Sequence, residues 1–462
     1  MVREAMHRCC VISDLHLGGE PPHMMSNPDK LAGFIDGLHA RCPSDQILEL
    51  VINGDFVDFI HTPNYASWTH DPGQAVTKLQ RVMNNPPFDM VFDALKRHLA
   101  RGHLLTIIPG NHDLEFGIPQ VQKEMAARLG SPGNGLTFLD DGRGHRIGGL
   151  LIEHGNRYDP VNHNDWDSIR KIRSRYSRNE GWEDVRLDVS PGSHLVNEAV
   201  RPLKDHYPFI NLLQPEGELT FFLLLALEPG LKWHVQKLYR LIFANRAKRH
   251  STVDSQRRSA RVRESAGGAV DDSMDPEILE VFYQEIKELA LTSQDLSQET
   301  GFSLWPLDFG QLGIGSFSKI IREGNTHGIS PSRLKQLRVT LKKILMKQSE
   351  WPCNWEECED LKFAQPMLNN GIQTVVMGHT HRRSIIRTGG QAQFINTGCW
   401  SDVVFFPEMA LSSDPALGEF LNRLIVLDQC RVFKPFFADI LIAPDGNVQE
   451  ADLIDALEVM DP

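Results

Sequence analysis

No apolar run in this 462-residue chain is long enough to cross a bilayer. The longest, Leu219 to Leu227 (LTFFLLLAL), has nine residues against the ~20 that a spanning helix needs, and Glu218 and Glu228 bracket it. A signal-peptide pattern is also missing. The segment MVREAMHRCCVISD passes from a few charges into a short apolar run that ends in acid, so a cytoplasmic protein is expected. The seven cysteines (Cys9, Cys10, Cys42, Cys353, Cys358, Cys399, Cys430) are odd in number and share no repeated spacing, which argues against a disulfide framework. Positive charge is in deficit. With 48 Lys and Arg against 60 Asp and Glu, the net charge of −12 disfavours general attraction to nucleic acid or anionic membranes. Hydrophobic residues at 41% and charged residues at 23% match ordinary globular usage and exclude collagen, coiled coil and wholesale disorder.

What is present is an alternating pattern. Short β-rich runs at Arg8 to Ser13, Glu49 to Asn53, Leu104 to Ile108 and Leu150 to Glu153 are separated by helical spacing at Lys30 to Arg41 and Phe88 to Ala100. This is α/β organisation. Strand-like runs return at Thr374 to Met377, Gln393 to Asn396, Arg423 to Leu427 and Phe436 to Ala443. The stretch between is rich in helical patterns, including Trp166 to Tyr176, Leu231 to Arg249, Pro276 to Leu291, Ser330 to Lys347 and Asn354 to Leu368. The expected organisation is a core in two parts, residues 1–159 and 371–462, interrupted by a mainly helical insert at 160–370. The basic run Lys237 to Arg263 lies in the insert, with a mobile loop expected near 250–270.

Five short blocks carry the chemistry: Asp14-Leu15-His16, Gly54-Asp55-Phe56-Val57-Asp58, Gly110-Asn111-His112-Asp113, His154-Gly155-Asn156 and Gly378-His379-Thr380-His381. Each follows an apolar β-like run, and ligand sites in open α/β sheets lie outside the carboxyl ends of strands. Any one block alone reads more simply as a turn or a satisfied histidine. Five in order converge on one rim. Carboxylate, amide and imidazole donors without thiolate suit borderline divalent ions such as Mn²⁺, Fe²⁺ or Zn²⁺. Asp14, His16, Asp55, Asn111, His154, His379 and His381 are seven candidates, more than the roughly three protein ligands of a single catalytic zinc-type ion. Two cations sharing one carboxylate accommodate them all, an arrangement suited to phosphoester hydrolysis. Gly378 is expected to let the backbone turn tightly so that both following histidines reach the cluster.

These blocks, D-x-H, G-D-x-x-D, G-N-H-D, H and G-H-x-H in order, resemble the calcineurin-like metallophosphoesterase superfamily over about Val11 to Asp159 and Gly371 to Asp402. The resemblance implies a β-sandwich flanked by helices and two divalent metal ions, with Mn the leading choice and Fe, Zn or Ni as alternatives. It implies that Asp14, His16, Asp55 and His381 hold one ion and Asp55, Asn111, His154 and His379 the other, with Asp55 as the bridge. It gives His112 the role of proton donor or charge stabiliser beside the leaving-group oxygen, oriented by Asp58. A nearby carboxylate fixes such a ring and favours its cationic form.

Arg157 is the flanking candidate for a phosphate contact, because guanidinium offers a bidentate fork. Asn156, Tyr158, Asp159, His163 and Asp165 read mainly as structural, and Cys399 as packing. His154 and His379 stand 225 positions apart, far more than in compact members of the superfamily, so the insert is expected to cap the opening and set specificity. The substrate is a phosphodiester, phosphomonoester or pyrophosphate. A likeness to UDP-2,3-diacylglucosamine pyrophosphatases offers a lipid-linked pyrophosphate as the alternative, with peripheral membrane contact through the cap. A nuclease tracking nucleic acid along the basic run is less favoured by the net charge.

Overall fold

The computed structural model describes residues 5–180 apart from 66, 131–134 and 160–161; residues 190, 193, 204 and 207–213; parts of 334–342; and residues 359–460 apart from 389–391, 426 and 428–429. Leu219 to Leu227, the basic run Lys237 to Arg263 and the expected helices Leu231 to Arg249 and Pro276 to Leu291 lie outside the described residues. The chain divides into two units. The first comprises Met1–Asn197, Ser349–Val404 and Arg431–Pro462, and the second Glu198–Gln348 and Phe405–Cys430.

In the first unit, β1 (Met6–Ile12), β3 (Gln46–Asn53), β5 (Leu104–Ile108) and β6 (Leu136–Phe138) form a parallel array. The antiparallel strands β12 (Phe436–Ile442) and β13 (Val448–Asp455) extend it beyond β1. A second sheet has the order β10 (Ser384–Arg387), β11 (Gln393–Asn396), β9 (Thr374–Met377), β8 (Leu150–Ile152), β7 (His145–Ile147). Its inner strands β11, β9 and β8 are parallel. Because successive side chains on a strand point to opposite faces, β1 sends Cys9 and Val11 one way and Cys10 and Ile12 the other. Cys9 and Val11 join Val51, Ile152, Val376, Ile395 and Ile440 in a buried cluster drawn from both sheets. The sheets therefore pack face to face.

Cys10, Ile12, Leu50 and Ile52 face helices instead. These are α1 (Pro28–Arg41), α2 (Pro72–Met83), α3 (Asp89–Ala100) and α4 (Pro119–Leu129). α1 carries proline in its first turn and buries Leu31, Phe34, Ile35 and Leu38 along one stripe. Burial of each such side chain contributes about 1.5–3 kcal/mol. On the far side, α6 (Glu359–Leu368) covers Val375, Met377 and Phe394 with Leu361, Ala364 and Leu368. The result is a sandwich of two sheets with helices on its outer faces. α5 (Trp166–Ser177) is capped by Asp165, whose carboxylate accepts from the Asp167 and Ser168 amides, and buries Ile169 and Ile172 against Leu114.

In the second unit, the described residues include buried Tyr207, Phe209, Ile210, Leu212 and Leu213 and helix α7 (Asp414–Ile425). Of the strand expected at Arg423 to Leu427, residues 423–425 are the end of this helix: Leu417, Phe420, Leu421 and Leu424 recur at helical spacing, so the apolar cluster completes a stripe rather than starting a strand. The described residues between 334 and 342 are helical, and Arg338 pairs with Asp414. The short helix α8 (Ala456–Met460) closes the first unit. No helix among the described residues is long and apolar enough to cross a membrane.

Candidate metal centre

All five blocks leave the carboxyl ends of strands. Those after β1, β3 and β5 come from one sheet, and those after β8 and β9 from the other. The first two loops are held edge to edge: the Asp14 amide donates to the Gly54 carbonyl (3.1 Å), the His16 amide to Asp55 (2.9 Å) and the Leu17 amide to Phe56 (3.0 Å). They continue into the two-residue parallel strands β2 (Leu17–Gly18) and β4 (Val57–Asp58).

Five of the seven candidate ligands adopt left-handed backbone: Asp14 (φ 56°), His16 (47°), Asp55 (49°), His379 (68°) and His381 (55°). Such a conformation costs a residue with a Cβ about 1–2 kcal/mol, and a concentration of it marks a function. Gly378 lacks a positive φ, so the turn is made by the two histidines themselves. The glycine is needed for space, since a Cβ there would lie 2.4 Å from Ser13 Oγ and 2.6 Å from Asp14 Oδ2. Gly110 answers the same demand, with its Cβ position 2.1 Å from Asp55 Oδ1.

The candidate ligands converge in two groups, Asp14, His16 and His381 in one and Asp55, His154 and His379 in the other, each with its donor atoms within 4.8 Å of one another. His381 Nε2 lies 3.2 Å from Asp14 Oδ1 and 3.3 Å from His16 Nε2. Asp55 Oδ2 lies 3.4 Å from His154 Nε2 and 3.9 Å from His16 Nε2. Ligands about 2.0–2.2 Å from one ion stand roughly 3–4 Å apart, so these spacings fit cation coordination. Buried polar atoms normally have partners, yet among the described residues Asn111 Oδ1 and His154 Nε2 are buried and make no hydrogen bond. The donor set therefore fits divalent metal.

Electrostatics agree. Burial opposes charge on Asp55, but His154 and His112 beside it hold its carboxyl well below the usual range. Against the same burial, Asp55 holds the His154 imidazole up to about 9. Burial, His112 and His381 push His16 down to about 3, leaving a neutral ring with a lone pair to give.

His112 sits beside this cluster, its ring centroid 4.7 Å from that of His16 and its amide donating to Asp55 Oδ1 (2.9 Å). Its Nδ1 is 3.5 Å from Asp58 Oδ1, so the two residues paired from the sequence are brought together. Asp58 is itself fully buried and accepts a 2.7 Å bond from Nδ1 of His61, a residue the sequence reading did not single out. It also gave Asp113 no role. That carboxylate accepts from the Gly110 amide (2.6 Å) and the Phe56 amide (2.7 Å), clipping two ligand loops together. Burial and the nearby Asp55 push Asp113 up to about 7.

Arg157 is turned away from a free-fork arrangement: its guanidinium pairs with Glu153 (3.0 Å) and donates to the Gly142 carbonyl. Polar residues around it make hydrogen bonds within the protein. Tyr158 donates to Glu153 (2.7 Å), Asn156 to the Asn162 carbonyl (3.0 Å), and Asn164 to the Gly110 carbonyl (2.8 Å). Cys399 is buried, which pushes its thiol up to about 12 and out of nucleophilic use. Asp14 is backed by Trp400 and Ser401, whose amides both donate to its carbonyl (3.2 Å).

No curated protein matches the chain. Residues 7–216 match the family model described as calcineurin-like phosphoesterase, a span that carries the first four blocks, while the fifth enters the same cluster through β9. Over these residues the chain is similar to the calcineurin-like phosphoesterases, a family of metal-dependent phosphoric ester hydrolases.

Proposed function

We propose that the centre binds two divalent cations bridged by Asp55 and hydrolyses a phosphoester by direct attack of water, with no covalent enzyme intermediate. The observation that carries this reading is the position of Asp55 Oδ2 between His154 Nε2 and His16 Nε2, at 3.4 and 3.9 Å. Asp14, His16, Asp55 and His381 would hold one cation and Asp55, Asn111, His154 and His379 the other, with Mn²⁺ the first choice for this oxygen and nitrogen donor set. Bound there, the pair supplies positive charge to phosphoryl oxygens and acidifies an attacking water. The chain's own residues orient the reaction. His112, the most exposed ring beside Asp55, is poised to give a proton to the leaving oxygen, and Asp58 holds its Nδ1 side.

The substrate carries a phosphodiester, phosphomonoester or pyrophosphate. The lipid-linked and nucleic-acid alternatives depend on Leu219 to Leu227 and Lys237 to Arg263, outside the described residues. Hydrolysis of bis-para-nitrophenyl phosphate and para-nitrophenyl phosphate by one Mn²⁺-loaded preparation separates diester from monoester preference. Asp55→Asn is expected to lose metal and activity together, and His112→Ala to keep metal while turnover falls about 10²–10⁴-fold. Normal turnover by an Asp55→Asn protein with no bound metal would overturn the reading.

A further inference from the structure

We infer that Asp159 is a positioning residue for His379 and sets the strength of one cation position but not the other, an inference that rests on reading His379 as a ligand. Asp159 Oδ2 lies 3.2 Å from His379 Nε2. The carboxylate is itself held in place. Asn162 Nδ2 donates to the same oxygen (2.9 Å), the Asn162 amide donates to the Asp159 carbonyl (3.1 Å), and the Asp159 amide donates to that of Asn156 (3.1 Å). Asp159 does not join the Asp55, His154 and His379 group, so it approaches the ring from outside.

With Nε2–H directed at Asp159, the neutral ring keeps its lone pair on Nδ1, so the carboxylate selects the tautomer and the ring orientation together. His154 is treated alike: its Nδ1 donates to the Asn53 carbonyl (2.7 Å), which leaves Nε2 facing Asp55. Both imidazoles of this group are thus pinned from behind. The other group is built differently, with His16 Nε2 and His381 Nε2 facing each other at 3.3 Å and His16 Nδ1 buried without a hydrogen bond among the described residues. Removing the Asp159 carboxylate therefore acts on the His154 and His379 position alone. Partners of this kind commonly change metal affinity 10–100-fold.

The test is Co²⁺ titration of the full chain after chelator treatment, read by visible absorption and by calorimetry. Asp159→Ala is expected to weaken one of two binding steps by about 10–100-fold and leave the other within about twofold. Asp159→Asn, nearly isosteric, guards against misfolding and is expected to weaken the same step. Asn162→Ala removes one support of the carboxylate without touching His379 and is expected to weaken the same step by less than Asp159→Ala. If His379→Ala loses affinity while both Asp159 variants bind as wild type, the positioning role is overturned and the ligand reading stands. Asn162→Ala weakening that step more than Asp159→Ala would also overturn it, since the loop rather than the contact with the ring would then be responsible. Wild-type binding by His379→Ala would remove the ligand reading, and the inference with it.

Discussion

The left-handed backbone of the ligand loops can be tested without any metal. His381 has φ 55°, and its ring contacts Asp14 Oδ1 and His16 Nε2. His381→Ala and His381→Gly remove the same ring and the same contacts, so the two variants differ by one Cβ. In this conformation the Cβ costs about 1–2 kcal/mol. Glycine's greater freedom in the unfolded chain offsets about 0.5–1 kcal/mol of that. The glycine variant should therefore be the more stable by roughly 0.5–1 kcal/mol, even though glycine ordinarily destabilises. Lys96, exposed within α3, provides the contrast: there the alanine variant should be the more stable by about 1 kcal/mol. Urea unfolding in excess chelator reads both pairs. With an m-value near 3 kcal/mol per M, the His381 pair should differ in midpoint by roughly 0.2–0.3 M, with glycine higher. Equal midpoints at 381, or alanine higher, would refute the claim that ligand geometry is held at the expense of backbone energy.

Other consequences follow from single contacts. Gly110→Ala places a methyl 2.1 Å from Asp55 Oδ1 and 2.6 Å from the Asp55 backbone nitrogen; metal stoichiometry should fall while far-ultraviolet circular dichroism stays native. Lys78, wholly buried, donates to Glu115 at 2.9 Å, so Lys78→Met alone should cost about 3–5 kcal/mol in urea unfolding, and Lys78→Met with Glu115→Leu should recover most of it. Glu49 gives a pH dependence. Burial alone would raise its pKa, but hydrogen bonds from His145 and His7 hold it down to about 2 from an ordinary 4.5. A carboxylate depressed in the folded state contributes stability above its unfolded value that is lost as pH falls through the folded one. The stability advantage of wild type over Glu49→Gln should thus shrink by on the order of 3 kcal/mol between pH 5 and pH 2, and an advantage constant over that range would count against the buried hydrogen bonds.

The strands and most helices of the core were legible because each carries its own period. The run LVIN before Gly54 and the stripe Leu31, Phe34, Ile35, Leu38 announce a strand and a helix without reference to anything distant. Arg423 to Leu427 was misread because a short apolar run looks alike as a buried strand and as the last turn of an amphipathic helix; the preceding Leu417, Phe420 and Leu421 decide between them. Helices α2 and α4 went unnoticed, although Asp71 caps the first and proline opens both.

Residue type and order along the chain were enough to single out the candidate donors that the structure brings together, because oxygen and nitrogen side chains at strand ends have a local signature. The pairing of His112 with Asp58 came from the resemblance and not from the residues' order alone. What the tertiary structure decided is who stands behind those donors. Asp113 on Phe56, Asn53 behind His154 and Asp159 on His379 join loops far apart in the chain, and the second of these spans the two sheets, whereas His61 on Asp58 is a contact within one loop. A hydrogen bond between residues 220 positions apart leaves no mark on local periodicity, since its energy is gained only once folding has brought both partners to one rim.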